Sequence, residues 1–231
     1  MDDGVNEVDA LLNENQRLID VAEYKRLHDL GAFEGERVEL IRGRVVRMGT
    51  MGPLHLWVLT QLTMVFTEVF RQVADVCIQM PLHASDDLMP QPDLMLIRKT
   101  AEPPSQLPKK AFLVVEVSQS SLRFDRVVKA PLYAERSSGE NWVVNLNENN
   151  VEVYRRPKKG FYSERTVSSI ATTSFARSRS RSSRSWYKTS CRRENTEVAP
   201  KDFEKCFAPR RTEITEVFLN NRAWSAGDNS K

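Results

Sequence analysis

Two short apolar runs near the middle of the chain carry the features on which the interpretation depends. Residues 94–97 and 112–117 are almost wholly apolar, and prolines and polar residues bound them. This pattern is typical of buried strands. Each run carries one carboxylate, with Asp93 opening the first and Glu116 lying inside the second. Because a buried carboxylate needs a cationic partner or a metal ion, these two acids are the first candidate site residues.

Periodic patterns elsewhere predict the elements around these two strands. A 3.6-residue apolar repeat predicts a long amphipathic helix over about 55–73, and Asp20 can cap a shorter helix that ends near Gly31. Alternating apolar positions and turn residues predict further strands and hairpins at 37–48, 76–80, 142–154 and, as a short edge strand, 160–162. The predicted fold class is therefore α/β, with a mixed central sheet flanked by helices.

A lysine follows the second acid on the next element. Asp125 and Lys129 are four residues apart, so on a helix they would share a face. Pro131 predicts that a helix begins or kinks close to Lys129. Two interpretations stay open: Lys129 is the basic partner of a divalent-metal site at Asp93 and Glu116, or it forms a local ion pair with Asp125.

Two further residues have an ordinary structural explanation beside a functional one. Glu39 alternates with apolar neighbours in the first hairpin, which is also the pattern of a solvent-facing strand residue. His55 stands at the beginning of the long helix, where a capping or surface histidine accounts for it equally well.

Composition limits the class of protein. The 231 residues suffice for one α/β domain with a hydrophobic core, and no apolar run is long enough to span a bilayer. The three cysteines are odd in number and widely spaced, which fits neither a disulfide framework nor a zinc site. We therefore expect a protein of the reducing cytoplasm that does not bind membranes.

Charge divides the chain into regions. The formal net charge is +3, but residues 177–193 carry seven Lys or Arg and no acid, so the remainder is mildly acidic. That remainder does not have the basic character of a general nucleic-acid surface. We predict a mobile leader over 1–17, a folded domain over 18–168 and a low-complexity, basic tail over 169–231.

The order and spacing of several segments resemble the Uma-two restriction endonuclease family, in the PD-(D/E)XK nuclease superfamily, over roughly residues 18–165. The matching segments are RVELIRGRVVRM, MGPLHLWVL, PQPDLMLIR, FLVVEVSQSSLRFDRVVKAPLYAE, NWVVNL and VEVYRRP. The resemblance implies a restriction-endonuclease-like fold in which Asp93 and Glu116 bind the metal. It also implies Glu39 as a further acid, Lys129 as the basic residue and His55 as an auxiliary residue near the site.

One departure from the superfamily pattern concerns the lysine. The usual second half of the motif is Glu-x-Lys, whereas here Val117 and Ser118 follow Glu116. The resemblance therefore implies that Lys129, on the following helix, has taken over the role of the lysine.

The tail has two explanations. Its run Arg177–Ser185 is rich in arginine and serine, like segments that bind RNA or acidic partners through charge. Members of the resembled family end instead in a strand and a helix rich in Leu, Pro and Val. A frameshift upstream of Arg177 would explain why this chain has a basic tail in their place. A folded domain that lacks this strand and helix would expose apolar surface, and we expect it to be marginally stable or to aggregate.

We expect a Mg²⁺- or Mn²⁺-dependent endonuclease that hydrolyses the phosphodiester bonds of DNA. Asp93, Glu116 and the main-chain carbonyl of Val117 would hold the ion through oxygen ligands. A homodimer would suit an enzyme that must cut both strands, although no segment marks an interface. The alternatives are a catalytically inactive nuclease-fold binding protein or decayed gene product, and an RNA-binding protein that acts through the tail.

Overall fold

The structure, a computed structural model, describes residues 13–102, 104–136 and 138–169. Most of the predicted leader and all but the first residue of the predicted tail lie outside the described residues, so the domain boundaries and the two explanations of the tail stay predictions. At the end of the predicted leader, Arg44 Nε donates to Gln16 Oε1 at 2.7 Å and Arg17 Nη2 donates to Glu23 Oε1 at 2.8 Å.

The described residues form two compact units, which comprise residues 13–50 with 83–90 and residues 51–82 with 91–169. In the part of the chain that the structure describes, no helix is long and apolar enough to cross a membrane.

The first unit consists of a capped helix and a hairpin. Asp20 caps the helix as predicted, since its Oδ1 accepts the Glu23 N–H at 2.7 Å. The hairpin turns at Arg42 and Gly43, which both have positive φ angles, of 50° and 72°. A Cβ on Gly43 would meet Leu18 Cβ at 2.8 Å, so glycine is required there for both reasons. The elements are α1 (Val21–Asp29), β1 (Val38–Ile41) and β2 (Arg44–Arg47).

The second unit is built on a six-stranded mixed sheet with the strand order β3-β4-β5-β6-β7-β8. Every neighbouring pair is antiparallel except β5 and β6, which are parallel and joined by a helical crossover. The predicted α/β class, with a mixed central sheet flanked by helices, is confirmed. The strands are β3 (Ala74–Ile78), β4 (Leu94–Arg98), β5 (Ala111–Ser118), β6 (Ser138–Asn145), β7 (Asn150–Lys158) and β8 (Phe161–Ser169).

The two faces of this sheet bury side chains of different polarity. One face packs against the long helix α2 (Pro53–Phe70) and is apolar, with Trp142 and Phe66 in edge-to-face contact at a centroid distance of 5.8 Å. Side chains alternate along a strand, so Glu116 and Ser118 of β5 point to the opposite face. The crossover covers that face and consists of α3 (Leu122–Phe124), a π-helical turn (Asp125–Lys129) and α4 (Ala130–Arg136).

Several predicted details differ from the structure. Strand β8 runs for nine residues rather than the short edge strand expected around 160–162. Few of its residues are apolar, because this edge strand is mostly exposed and its pairing with β7 depends on main-chain hydrogen bonds. The 3.6-residue apolar repeat of α2 includes Leu56, but this residue is 46% exposed, whereas Val58 is fully buried.

Candidate active site

Strand register brings the two candidate carboxylates together. Leu94 of β4 lies opposite Val115 of β5, so one further position places Asp93 opposite Glu116 on the same face of the sheet. The Val117 N–H donates to Asp93 Oδ2 at 2.8 Å, which fixes this carboxylate against the neighbouring strand. Both acids are buried, with 7% and 3% of their surfaces exposed.

Glu116 receives two donors from the helical crossover. Lys129 Nζ donates to Glu116 Oε1 at 3.2 Å, and Tyr133 Oη donates to the same oxygen at 2.6 Å. All three side chains are buried. The structure therefore brings the predicted lysine to the predicted acid, although its catalytic role stays a prediction. Tyr133 was missed by the sequence reasoning, and the signal that could have found it is its position four residues after Lys129, on the same helix face.

His55 lies beside Asp93. Its Nε2 is 3.1 Å from Asp93 Oδ1, and only 13% of the histidine side chain is exposed. Pro53 begins α2 after the N-cap residue Gly52, so His55 lies in the first helical turn. Of the two interpretations of this histidine, the geometry favours a place near the candidate site over an exposed surface position.

Asp125 is a third buried carboxylate of this region that sequence reasoning did not assign to the site. Its Oδ2 accepts hydrogen bonds from Ser118 Oγ at 2.6 Å and from Ser121 Oγ at 2.7 Å. Burial raises the pKa of the Asp125 carboxyl, against the opposing charge of Lys129 and the two hydroxyl donors, and the charge of Asp93 raises it further. Asp125 therefore lies within electrostatic range of Lys129 and Asp93.

Glu39 is buried in β1 of the first compact unit, opposite Val46. The solvent-facing alternative for this residue is therefore wrong, since only 2% of its surface is exposed. Its negative charge adds to burial in raising the pKa of the Tyr24 hydroxyl. Asp93, Glu116 and Lys129 all belong to the second unit. A common site with Glu39 stays a prediction.

Asp93 and Glu116 are buried carboxylates, and their oxygens are of the kind that hard divalent cations prefer. Asp125 is a third buried carboxylate of this region, and Lys129 is the buried ammonium group beside Glu116. Buried carboxylates in excess of buried cations are unfavourable unless a further cation or protonation compensates them. Within the described residues, no three His, Cys, Asp or Glu side chains are close enough together to hold a metal ion. A bound ion would therefore depend on two carboxylates, the Val117 carbonyl and groups outside this set.

A second buried glutamate lies in the same row of the sheet. Glu116 pairs with Val143 of β6, and Val143 pairs with Glu152 of β7. Glu152 Oε1 accepts from Arg126 Nε at 2.8 Å, and its Oε2 accepts from Tyr154 Oη at 2.6 Å and from Arg165 Nη2 at 3.0 Å. We call Glu152, Arg126, Arg165 and Tyr154 the Glu152 cluster.

Comparison with known proteins gives the family of the chain. None of the curated proteins matches it. Among solved structures, it is similar to a putative nuclease belonging to DUF820 from Anabaena variabilis. The two are 15% identical, with 74% of this chain and 91% of that chain covered and a TM-score of 0.48. The model of the Uma2 family, described as "Putative restriction endonuclease", matches residues 21–177, about two thirds of the sequence. The chain therefore belongs to the Uma2 family.

Proposed function

We propose that this protein is a metal-dependent endonuclease that hydrolyses phosphodiester bonds of DNA at Asp93, Glu116 and Lys129. The observation that carries the proposal is the register of β4 and β5, which sets two buried carboxylates side by side with a buried lysine 3.2 Å from one of them. The membership of the Uma2 family supports the reaction class.

Two carboxylates and a main-chain carbonyl are the oxygen ligands that Mg²⁺ and Mn²⁺ prefer. Asp93 and Glu116, with the Val117 carbonyl, would hold the ion, and Glu39 is a further acid by resemblance to the family. When bound, the ion supplies Lewis-acid polarisation of the scissile phosphate and acidifies a water molecule.

The chain's own residues would orient this centre and stabilise charge. The Val117 N–H holds Asp93, and Tyr133 holds Glu116, so neither carboxylate has to reorganise during the reaction. Lys129 carries a positive charge in a water-poor environment, where it would stabilise the negative charge that develops on the phosphate. His55 lies against Asp93 and would restrict the orientation of that carboxylate.

Cleavage of supercoiled plasmid DNA by the full chain, with Mg²⁺ or Mn²⁺, tests this function. Asp93→Ala and Lys129→Ala are the informative variants. Asp75→Asn is the matched control, because Asp75 lies in the same unit but on β3, where it contacts Lys99 at 3.3 Å. Glu39→Gln tests the acid assigned by family resemblance.

We expect metal-dependent cutting by the parent and the control, its loss in Asp93→Ala, and a large fall to a low but measurable rate in Lys129→Ala. If Lys129→Ala cuts as fast as the parent, the lysine assignment is wrong while the metal site stands. If a folded parent does not cut DNA with either ion, the function is wrong, and a catalytically inactive nuclease-fold binding protein becomes the better account.

A further inference from the structure

The helix that carries Lys129 is distorted at the lysine. Residues Asp125–Lys129 form a π-helical turn, in which the Ala130 N–H donates to the Asp125 carbonyl. The next residue, Pro131, has no N–H, so the regular α-helical bond to the Val127 carbonyl cannot form. Single π-helical turns are rare in proteins, but those that occur are often found at functional sites. The first and last residues of the turn are buried, whereas Val127 in its middle is 64% exposed.

Each end of the π turn is tied to the same strand. At one end, Asp125 Oδ2 accepts a hydrogen bond at 2.6 Å from the hydroxyl of Ser118, which is the last residue of β5. At the other end, Lys129 Nζ donates to Glu116 Oε1 at 3.2 Å. Glu116 and Ser118 are two residues apart, so their side chains leave β5 on the same face. The strand and the π turn are thus linked at two points.

The Ser118 hydroxyl occupies the position at which the superfamily pattern has its lysine. A lysine on β5 itself would be fixed by the strand, whereas Lys129 belongs to the crossover and needs a separate anchor. Ser118 and Asp125 provide this anchor, because both side chains are buried and their hydrogen bond connects the strand to the start of the turn.

We propose that Asp125 is the positioning residue for Lys129, and that the Ser118–Asp125 hydrogen bond fixes the π turn so that the ammonium group faces Glu116. The proposal rests on the proposed nuclease function. It assigns Asp125 no contact with the metal or the substrate. A displacement of the lysine by about 1 Å would be enough to lower turnover by up to about 100-fold.

A double-mutant cycle on plasmid cleavage by the full chain tests this role. The single variants are Asp125→Ala and Lys129→Ala, and kcat, KM and Mn²⁺ affinity are measured for each and for the double variant. We expect Asp125→Ala to lower kcat about 10- to 100-fold and to leave KM and Mn²⁺ affinity within about threefold. In the Lys129→Ala background the same change should have almost no further effect, because the positioned group is already absent.

Ser118→Ala and Ser121→Ala form a matched pair, since both hydroxyls bind the same carboxylate oxygen but only Ser118 belongs to β5. Ser118→Ala should lower kcat more than Ser121→Ala. Asp125→Asn keeps an oxygen acceptor for the hydroxyls and should recover part of the activity that Asp125→Ala loses. If Asp125→Ala does not fold, Ser118→Ala in the same cycle gives the answer.

Three results would overturn the inference: additive effects of Asp125→Ala and Lys129→Ala, equal losses in the two serine variants, or equal losses in Asp125→Asn and Asp125→Ala. Each of them requires a parent that cuts DNA and an Asp93→Ala variant that does not. A parent without metal-dependent cleavage would instead contradict the proposed function.

Discussion

Two buried glutamates in one row of the sheet have opposite surroundings. Glu116 and Glu152 lie on the same face of the sheet, separated by one strand. Each accepts a hydrogen bond from a tyrosine hydroxyl at 2.6 Å. Glu152 also binds two arginines whose side chains are 30% and 49% exposed. Glu116 binds a lysine that is buried with it, close to the carboxylates of Asp93 and Asp125.

We interpret the difference as one between an ion-pair network that is compensated within the protein and a group of acids that, under the proposed function, would hold a cation. Burial alone would raise the pKa of the Glu152 carboxyl, but hydrogen bonds from Arg126 and Tyr154 and the charges of both arginines hold it below its usual value. At Asp125 burial prevails and the carboxyl pKa is raised. Glu152 is therefore well compensated within the protein, whereas the acids around Lys129 would gain from an added divalent ion.

The largest expected effect is the loss of cleavage in Asp93→Ala. Removing this carboxylate should lower metal-dependent plasmid cleavage by about 100- to 1,000-fold, the range for losing one group that stabilises the transition state. Glu152→Gln removes an equally buried carboxylate and serves as the comparison. Equal losses in the two variants, measured on folded protein, would show that the two clusters do not differ in function.

Lys129→Met should be the next largest change. It keeps most of the side-chain volume but leaves Glu116 without its buried cation, which should cost about 3 kcal/mol of unfolding free energy. Mg²⁺ should then raise the Tm of this variant more than it raises the Tm of the parent, because the ion replaces the lost charge. Thermal melts with and without Mg²⁺ measure the difference, and an identical Mg²⁺ shift in both proteins would argue against an ion beside Glu116.

Glu152→Gln should affect stability rather than chemistry. The two arginines lose their charged acceptor, and because they reach solvent the loss should be about 2 kcal/mol of unfolding free energy in urea titrations. Cleavage at saturating Mg²⁺ should stay within about threefold of the parent, as expected for a residue outside the transition-state contacts. A large fall in kcat at unchanged stability would place the Glu152 cluster in the active site.

The smallest effect concerns pH. Because the pKa of Glu152 is lowered in the folded protein, the stability it contributes is fully present above its unfolded value of about 4.3 and is lost as pH falls through the lower folded value. The unfolding free energy of the parent should therefore decline more steeply below about pH 4.5 than that of Glu152→Gln. Urea titrations between about pH 3 and 6 would show this, and parallel pH profiles would contradict it.

The sequence predicted those features that depend on local pattern. The Asp20 cap, the hairpin within 37–48 and the two apolar strands at Asp93 and Glu116 all follow from residue type and apolar periodicity. Strand register could not be predicted in this way, because the apolar pattern of one strand does not say which residue of the neighbouring strand lies opposite.

Features that depend on tertiary packing were missed. Tyr133 and Asp125 have ordinary helical spacings, and only the fold of the crossover brings them to β5. The π turn arises where Pro131 and two anchored side chains coincide, which no periodicity reveals. The sequence analysis did not single out Glu152, because its partners Arg126 and Arg165 are distant in the sequence.

Binding of Mn²⁺, measured by electron paramagnetic resonance on the full chain, tests most directly whether Asp93 and Glu116 form a cation site. The parent, Glu116→Gln and Glu152→Gln are titrated side by side. The account predicts bound Mn²⁺ in the parent and in Glu152→Gln, and its loss in Glu116→Gln. Undiminished binding in Glu116→Gln, or no binding by a folded parent, would contradict it.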